Sequence, residues 1–309
     1  MPAIRILDPG FLSTIQDVPR RGLSRYGLSE AGPMAPLSFS EANWLAGNSS
    51  PLPSIEVTTK PPRILFLEDV RLGLAGADFR WRIDGRPVSN QESIEVRRGS
   101  TLQGEFCLGG LRGYIAFAGG IVCESWNGSA ATHVQSGYGG RRLSRSDELA
   151  VGERSGSLER LRRHDRIHVP FTNGTHKVLR VVQSRSHPDF SPECISLLCG
   201  AIYRVTEQSN RMAVRVEGQN LPVRQEPVIS AGAWQGAIQV PPSGIPQILG
   251  AEHPATGGYP ILASVIRADW ETLGQLRPRE EIRFGRVSIE TAVELYRRQC
   301  ELHRAMEER

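Results

Sequence analysis

Hydrophobic residues along the chain occur mostly in short runs that glycine, proline and asparagine interrupt. Runs of about four to eight residues between turn residues are typical of the strands of sandwiches and barrels. Asp84-Gly85 lies between Arg82-Ile83 and Arg86-Pro87-Val88 and suits the type I′ turn of a hairpin. The pattern predicts a mainly β protein, whose expected strands include Ile64–Leu67, Leu72–Ala75, Ile94–Val96, Tyr114–Ala118, Val178–Val182, Ala213–Val216 and Ile261–Val265.

Helical periodicity is confined to three segments. The first, Leu37–Ala46, ends at Gly47, because glycine readily adopts the left-handed conformation at a helix C-terminus. The second, Asp269–Leu276, ends just before a proline. The third is a C-terminal helix over Ile289–Glu307 that begins after Ser288, a favourable N-cap residue, and carries apolar residues at helical spacing.

A chain of 309 residues is long enough for two domains. Residues 154–166 are rich in arginine and serine and poor in large apolar residues, and Thr172-Asn173-Gly174 follows soon after them. We therefore predict an N-terminal domain over residues 1–174 and a C-terminal domain over residues 175–309.

Composition narrows the functional class. The chain is 39% hydrophobic and 23% charged, and its net charge of +4 is spread among interleaved acidic and basic residues. This pattern does not suggest a nucleic-acid-binding surface, which needs clustered positive charge. The sequence contains no apolar run long enough to suggest a membrane span or a signal peptide. Its five cysteines have no C-x-x-C spacing. We expect a cytoplasmic protein with free thiols and without a metal site.

The longest irregular segment is Ile238–Pro260, which contains Thr256-Gly257-Gly258-Tyr259-Pro260. Paired glycines allow successive N–H groups to turn toward one point, and a tyrosine beside them offers a ring face and a hydroxyl. Long ordered loops are uncommon without a use. We predict a substrate- or nucleotide-binding loop; the alternative is a long structural connection. The predicted binding residues are Gln239, Thr256, Gly257, Gly258 and Tyr259.

A second candidate is Thr206–Met212, where Glu207, Asn210 and Arg211 bring a carboxylate, an amide and a guanidinium close together in sequence. Such a trio can fix a planar polar substrate, and arginine can do so with two parallel hydrogen bonds. We predict that these three residues are catalytic. The alternative is a surface turn in which Asn210 caps its own backbone.

Two further segments offer polar groups. Gln16 and Asp17 close a predicted first strand and are predicted to contact substrate; alternatively, Asp17 holds the turn that follows. Gly137–Arg141 combines glycines with an arginine, as in an anion-binding nest. Glycine pairs also serve tight corners of barrels, so this segment has two interpretations.

Several of these segments, in a fixed order from about Ile4 to Val287, resemble carboxyltransferase subunit 2 proteins. That family includes the C-type subunit of 5-oxoprolinase, the kinase-inhibitor antagonist of sporulation and the matching half of the urea carboxylase carboxyltransferase domain. The resemblance rests on Ser13–Asp17, Ala42–Asn48, Glu56–Thr58, Gly113–Ile121, Gly137–Arg141, Thr206–Met212, Arg215–Gly218 and Thr256–Pro260.

The resemblance implies two cyclophilin-like β-barrel subdomains with a few short helices. It also implies a subunit of an ATP-dependent amide or lactam hydrolase of the 5-oxoprolinase type, acting with a subunit 1 partner and possibly a third catalytic protein. No phosphate-loop motif occurs here, so ATP would be shared with partner subunits. The alternatives are a carboxyltransferase subunit acting on urea or a related amide, with biotin carried by a partner, and a non-catalytic regulatory subunit that binds subunit 1.

The chain departs from the family pattern at three polar positions. Ala35 replaces an acid, Ala130 replaces an arginine, and Pro254 stands where the family has glutamine. Glycines of the scaffold are kept while these side chains are lost. The departures indicate a member that has changed its substrate or lost part of its catalytic function.

Overall fold

A computed structural model describes residues 1–90, 92–153, 176–184, 190–191, 193–223 and 229–307. The described residues fall into two compact units. One comprises residues 1–20 and 31–153, and the other comprises residues 21–30 and 176–306. The boundary predicted at residues 172–174 lies outside the described residues. The predicted domain limits therefore stay a prediction.

The first unit contains one helix, α1 (Pro36–Ala46), and two sheets in its described part. Its larger sheet has the spatial order β11 (Ile121–Val122), β12 (Glu148–Val151), β1 (Ile4–Asp8), β4 (Arg63–Phe66), β9 (Thr101–Gln103), β6 (Arg82–Ile83) and β7 (Arg86–Pro87). Its smaller sheet has the order β2 (Leu12–Gln16), β3 (Ser54–Thr58), β10 (Gly109–Phe117), β5 (Val70–Asp78) and β8 (Ser93–Val96).

Both faces of the smaller sheet are covered. Ile55 and Val57 of β3 belong to a core that also contains residues of the larger sheet. Residues at alternate positions point to the other face, where α1 packs. The approach of α1 is close: a Cβ at Gly73 of β5 would lie 2.1 Å from the carbonyl oxygen of Ala42. Glycine is therefore required at this crossing.

A buried carboxylate fixes the segment that leads into α1. Glu56 lies on the face of β3 toward this segment and is 1% exposed. Its Oε2 accepts hydrogen bonds from the Tyr114 hydroxyl at 2.6 Å and from the backbone N–H of Met34 at 2.9 Å. The Tyr114 oxygen in turn accepts the N–H of Ala35 at 2.9 Å. One side-chain network thus satisfies backbone donors of an irregular segment.

The second unit is a closed barrel with helices around it. The barrel order is β13 (Lys177–Gln183), β20 (Ile261–Val265), β17 (Ala237–Gln239), β18 (Gln247–Leu249), β15 (Ala213–Gly218), β14 (Ile202–Val205) and β21 (Glu281–Arg286), which pairs parallel with β13. A separate pair consists of β16 (Ala231–Gly232) and β19 (Thr256–Gly257). The described helices are α2 (Cys194–Gly200), α3 (Trp270–Gly274), α4 (Ile289–Glu307) and two 3₁₀ turns, Ser24–Tyr26 and Arg267–Asp269.

The prediction of a mainly β protein is confirmed, and each of the seven predicted strands overlaps an observed one. A closed barrel occurs in the second unit, while the first unit has two sheets. Asp84 and Gly85 have φ angles of 50° and 80°, as a type I′ turn requires. The N-cap of α4 is also confirmed, because the N–H of Thr291 donates to Ser288 Oγ at 3.1 Å.

Two helical details differ from the prediction. The segment predicted as one helix over Asp269–Leu276 is a 3₁₀ turn followed by α3, which ends at Gly274. Helix α2 was not predicted, because its seven residues are too few to establish a period and most of them are apolar. Within the described ranges, no helix is both long and apolar enough to cross a membrane.

The Glu56 network makes a stability prediction. Removing one hydroxyl in Tyr114→Phe leaves the Ala35 N–H and the Glu56 carboxylate each short of one partner. We expect a loss of about 1–3 kcal/mol in the free energy of unfolding, measured as a lower urea midpoint. Tyr26→Phe is the matched control, because Tyr26 is 65% exposed. Equal midpoints for the two variants would contradict the assigned role of Tyr114.

Candidate functional site

Two of the three predicted catalytic residues lie on an exposed turn. Asn210 Oδ1 accepts hydrogen bonds from the backbone N–H groups of Met212 at 2.8 Å and Ala213 at 3.2 Å. Glu207, whose side chain is 68% exposed, forms an ion pair with Arg279 at 2.7 Å. The Asn210 side chain therefore caps its own backbone, as the alternative interpretation of this segment expected. Both residues are exposed, whereas Arg211 is buried.

Arg211 is held in a buried ion pair. Its side chain is 4% exposed, and its Nε donates to Glu252 Oε1, on a side chain that is 2% exposed. The backbone N–H of Glu252 also donates to the carbonyl oxygen of Arg211 at 2.9 Å. These contacts attach residues 250–260 to the start of β15. The prediction that Ile238–Pro260 is irregular throughout was wrong, because the segment contains the end of β17 and all of β18 and β19. Strands of two or three residues are too short to show an alternating pattern. Sequence reasoning missed Glu252 as a partner, and its only signal was an acid inside the candidate loop.

His253 follows this pair and is itself buried, with 5% exposure. Its Nδ1 lies 2.8 Å from the carbonyl oxygen of Pro254, which makes Nδ1 the donor. Burial lowers the pKa of the imidazole below its ordinary value of 6.5. At neutral pH the ring is therefore uncharged, and Arg211 and Glu252 supply the charges at this point of the loop.

Gln239 lies beneath the paired glycines. Ile238 belongs to the barrel core, so its neighbour Gln239 points to the outer face of the barrel. A Cβ at Gly257 would lie 2.5 Å from Gln239 Nε2, so a larger residue here would displace the end of the Gln239 side chain. Gln239 is 3% exposed, and its Nε2 has no hydrogen-bond partner in the described part of the chain. This amide is the donor that the site leaves unsatisfied.

Apolar side chains line this face, and the ring of Trp234 lies beside it. The apolar cluster consists of Ala213, Ala237, Leu249 and Ile261, with Ala233 packed against it. Tyr259 is 45% exposed and Trp234 is 46% exposed. Trp234 Nε1 donates to Ser264 Oγ at 3.0 Å, on a residue of β20 that pairs with Ala237. We refer to the cluster, Gln239, Trp234, the Arg211–Glu252 pair and the Thr256–Tyr259 glycine loop as the outer-face site.

The β16–β19 pair positions the glycine loop. Thr256 and Gly257 pair with Gly232 and Ala231, so the predicted binding residues form part of a short ladder. The N–H of Ala233 donates to the carbonyl oxygen of Ala255 at 3.0 Å and extends this pairing. Predicted residues Gln239, Gly257 and Arg211 are thereby held by a few neighbouring strands of one unit.

The two predicted substrate-binding residues of the first unit are both buried. Gln16 is fully buried, and its Nε2 donates to Thr14 Oγ1 at 3.0 Å and to the carbonyl oxygen of Thr132 at 3.2 Å. Asp17 accepts the N–H of Val18 at 2.8 Å and that of Ala130 at 2.9 Å. Asp17 therefore binds the backbone of Ala130, the residue that stands where the family has an arginine.

The outer-face site does not fit a triphosphate. Arg211 is neutralised by Glu252, and His253 is uncharged near neutral pH. A triphosphate requires several cationic or backbone donors directed at its oxygens. The residues do fit a neutral, planar group, because an unsatisfied amide donor lies beside small apolar side chains. No group of His, Cys, Asp and Glu among the described residues could hold a metal ion.

Comparison with known proteins identifies the family of the chain. Residues 26–286 match the family model of the carboxyltransferase domain, subdomain A and B. The chain belongs to this family. It is 32% identical over 299 residues to the C-type subunit of 5-oxoprolinase from Haemophilus influenzae, and the match covers 96% of this chain and 94% of that protein.

Two larger proteins contain a similar region. Urea amidolyase of Saccharomyces cerevisiae is 31% identical over 310 residues, which cover 94% of this chain but 17% of that enzyme. The crystal structure of Kluyveromyces lactis urea carboxylase superposes with a TM-score of 0.88 at 26% identity and covers 99% of this chain and 29% of that one. The chain thus spans nearly all of the 5-oxoprolinase subunit and a minor part of the urea-converting enzymes.

The Arg211–Glu252 pair makes a prediction for stability. Removing one partner in Arg211→Met leaves a buried carboxylate uncompensated, and we expect a cost of about 3–5 kcal/mol in the free energy of unfolding. The double variant Arg211→Met with Glu252→Met removes both charges and should recover most of that loss in urea denaturation. A double variant that is less stable than Arg211→Met would contradict the pairing.

His253 makes a prediction for pH dependence. Because burial places its folded-state pKa below 6.5, the unfolded chain binds more protons in this range. Its contribution to stability is therefore complete above the unfolded pKa and is lost as the pH falls through the folded pKa. Urea midpoints measured between about pH 7.5 and about pH 5 should fall less in His253→Gln than in the unsubstituted chain. Identical pH profiles would refute this.

Proposed function

We propose that this chain is the C-type subunit of an enzyme of the 5-oxoprolinase type, which opens a lactam or related amide in an ATP-dependent hydrolysis. One observation carries the proposal: the match covers 94% of the length of the Haemophilus influenzae 5-oxoprolinase subunit, which is a separate chain, but only 17% of the length of urea amidolyase. A subunit name implies an assembly of several chains. The partners proposed here are a subunit 1 homologue and a third catalytic protein.

The outer-face site supports a role in binding the amide. The Gln239 Nε2 group is a buried donor without a partner among the described residues, and a lactam carbonyl oxygen is an acceptor of matching polarity. The apolar side chains of Ala213 and Ala237 suit the methylene groups of a lactam ring. Trp234 offers a ring face beside this cluster, and Tyr259 is half-exposed in the glycine loop. In this proposal the site orients the amide, and ATP is bound with partner subunits.

Arg211 acts indirectly in this proposal. Because its guanidinium is already paired with Glu252, it holds the glycine loop in place and is a positioning residue. Glu207 and Asn210 lie on the exposed turn, where they stabilise local structure and remain candidates for contact with another subunit.

A second candidate function is a carboxyltransferase subunit that acts on urea or a related amide. The observation in its favour is the TM-score of 0.88 to urea carboxylase over 99% of this chain. In that case biotin would arrive on a partner carrier domain. A third candidate, a regulatory subunit that binds subunit 1 without catalysis, agrees with the loss of polar side chains at Ala35, Ala130 and Pro254.

The decisive experiment is reconstitution. Co-expression of this chain with the proteins encoded beside its gene should give a complex whose ATP hydrolysis depends on added 5-oxoproline. Addition of urea with a biotin carrier, a biotin carboxylase, ATP and bicarbonate tests the second candidate in the same preparation, because the carboxylase must first form the carboxybiotin that donates the carboxyl group. If a well-folded complex hydrolyses no ATP in response to either substrate, both enzymatic proposals are refuted and the regulatory one is left.

Gln239 allows a sharper test within that complex. Replacing its amide in Gln239→Leu removes the donor to the substrate carbonyl, and we expect kcat/KM for 5-oxoproline to fall by about 10- to 100-fold. Gln219→Leu is the matched control, because Gln219 is exposed and donates only to a neighbouring carbonyl oxygen. Equal kcat/KM values for the two variants would show that Gln239 does not bind the substrate.

A further inference from the structure

The first unit contains a buried arginine that is separate from the outer-face site. Arg20 is 1% exposed and follows the Gln16–Asp17 segment. Its Nε donates to the carbonyl oxygen of Trp126 at 2.9 Å, and its Nη2 donates to those of Ser129 at 2.9 Å and Ala131 at 2.8 Å. These three hydrogen bonds attach the segment 126–131 to the end of β2.

The remaining nitrogen of this guanidinium has no assigned role in the fold. Arg20 Nη1 is buried and has no hydrogen-bond partner in the described part of the chain. The described residues include no carboxylate in ion-pair contact with Arg20, and Asp17, an acid close to it in sequence, is occupied by two backbone N–H groups. A buried cation whose hydrogen-bond partners are all carbonyl oxygens is costly, and a hydrogen-bonded anion would lower that cost.

Two aromatic rings lie against this guanidinium. Arg20 Cζ lies 5.3 Å from the ring centroid of Trp126 and 5.0 Å from that of Tyr138. The two rings are 5.1 Å apart and tilted by 47°. Trp126 is 42% exposed although the cation beneath it is buried. A modest movement of one exposed ring would therefore open a path to Nη1.

The backbone around these rings is shaped for a close approach. Asn127, Gly128, Gly137 and Gly139 all have positive φ angles. A Cβ at Gly139 would lie 2.0 Å from the carbonyl oxygen of Ala131 and 2.7 Å from Arg20 Nη2. Of the two interpretations of this glycine-rich segment, an anion nest and a tight corner, the structure supports the tight corner. The corner packs directly against the guanidinium.

We propose that Arg20, beneath the Trp126–Tyr138 pair, is a binding site for one small carboxylate anion. The vacant donor is a single guanidinium nitrogen with two N–H groups, which suits one oxyanion of low charge. A phosphate dianion would lie near the Asp17 carboxylate with only one cation to balance it. The flat aromatic faces also favour a planar group. This proposal is independent of the lactam-opening function proposed above.

The test is a ligand titration that is monitored by fluorine NMR. The chain is labelled with 5-fluorotryptophan, and the Trp126 signal is assigned with Trp126→Phe. Sodium acetate is added at constant ionic strength maintained with sodium chloride, and inorganic phosphate is titrated in parallel. We expect a saturable shift of the Trp126 signal with acetate, and a dissociation constant at least about tenfold higher in Arg20→Lys, which keeps the charge but loses the planar fork.

Arg71→Lys is the matched control. Arg71 is also buried in the first unit, but its guanidinium already pairs with Glu95 at 2.7 Å, so acetate affinity should not change. If Arg20→Lys fails to fold, the Nε–H resonance of Arg20 in the arginine-labelled, unsubstituted chain should still shift with acetate. The proposal is overturned by the absence of a saturable acetate shift, by equal affinity in Arg20→Lys, or by tighter binding of phosphate than of acetate.

Discussion

The structure depends on one constraint: polar groups buried between sheets and loops must find partners, and here irregular backbone supplies many of them. Glu56 receives the N–H of Met34, Asp17 receives the N–H of Ala130, and Arg20 donates to three carbonyl oxygens. Each contact attaches a loop to the face or end of a strand. Because an unpaired buried polar group costs more than a typical hydrogen bond contributes, these side chains fix loops that have no regular structure of their own.

The same constraint shapes the outer-face site. The Arg211–Glu252 pair and the β16–β19 ladder hold the loop of residues 250–260 against strands of the barrel, and Gly257 lets that loop approach Gln239. The loop is thereby ordered by the chain's own contacts. Gln239 Nε2 is among the buried donors that have no partner in the described residues, and an unsatisfied donor beside a loop that is held in place is a reasonable place for a substrate to bind. The site is pre-organised for a neutral group, since its charges compensate each other.

The departures from the family pattern have a structural interpretation. Ala35 and Ala130 have lost polar side chains, yet their backbone N–H groups donate to Tyr114 and Asp17. The scaffold at these positions therefore uses backbone atoms that any residue other than proline supplies. Loss of a side chain there changes what is offered to a ligand and leaves the fold intact. This explains how a chain can keep the architecture of its family while its polar groups diverge.

The sequence by itself determined the elements that local chemistry controls. The strands follow from short apolar runs, the hairpin at Asp84-Gly85 from its turn residues, and the ends of α1 and α4 from Gly47 and Ser288. The self-capping turn at Asn210 could also be predicted from sequence as one of two alternatives. The candidate loop was predicted too long, because β18 lies within it and has only three residues. A seven-residue helix such as α2 was too short for any period to reveal it.

Tertiary structure alone decided which polar groups meet. Arg211 and Glu252 are 41 positions apart, Tyr114 and Glu56 are 58 apart, and Arg20 and Ala131 are 111 apart. Such pairs depend on strand register and on the course of loops between sheets, and neither is encoded by the residues next to each partner. Local sequence therefore specified the paired glycines at Gly257-Gly258 and the turn residues around them, whereas the fold determined that Arg211 is neutralised, that Gln239 is left unsatisfied and that Arg20 is buried beneath two rings.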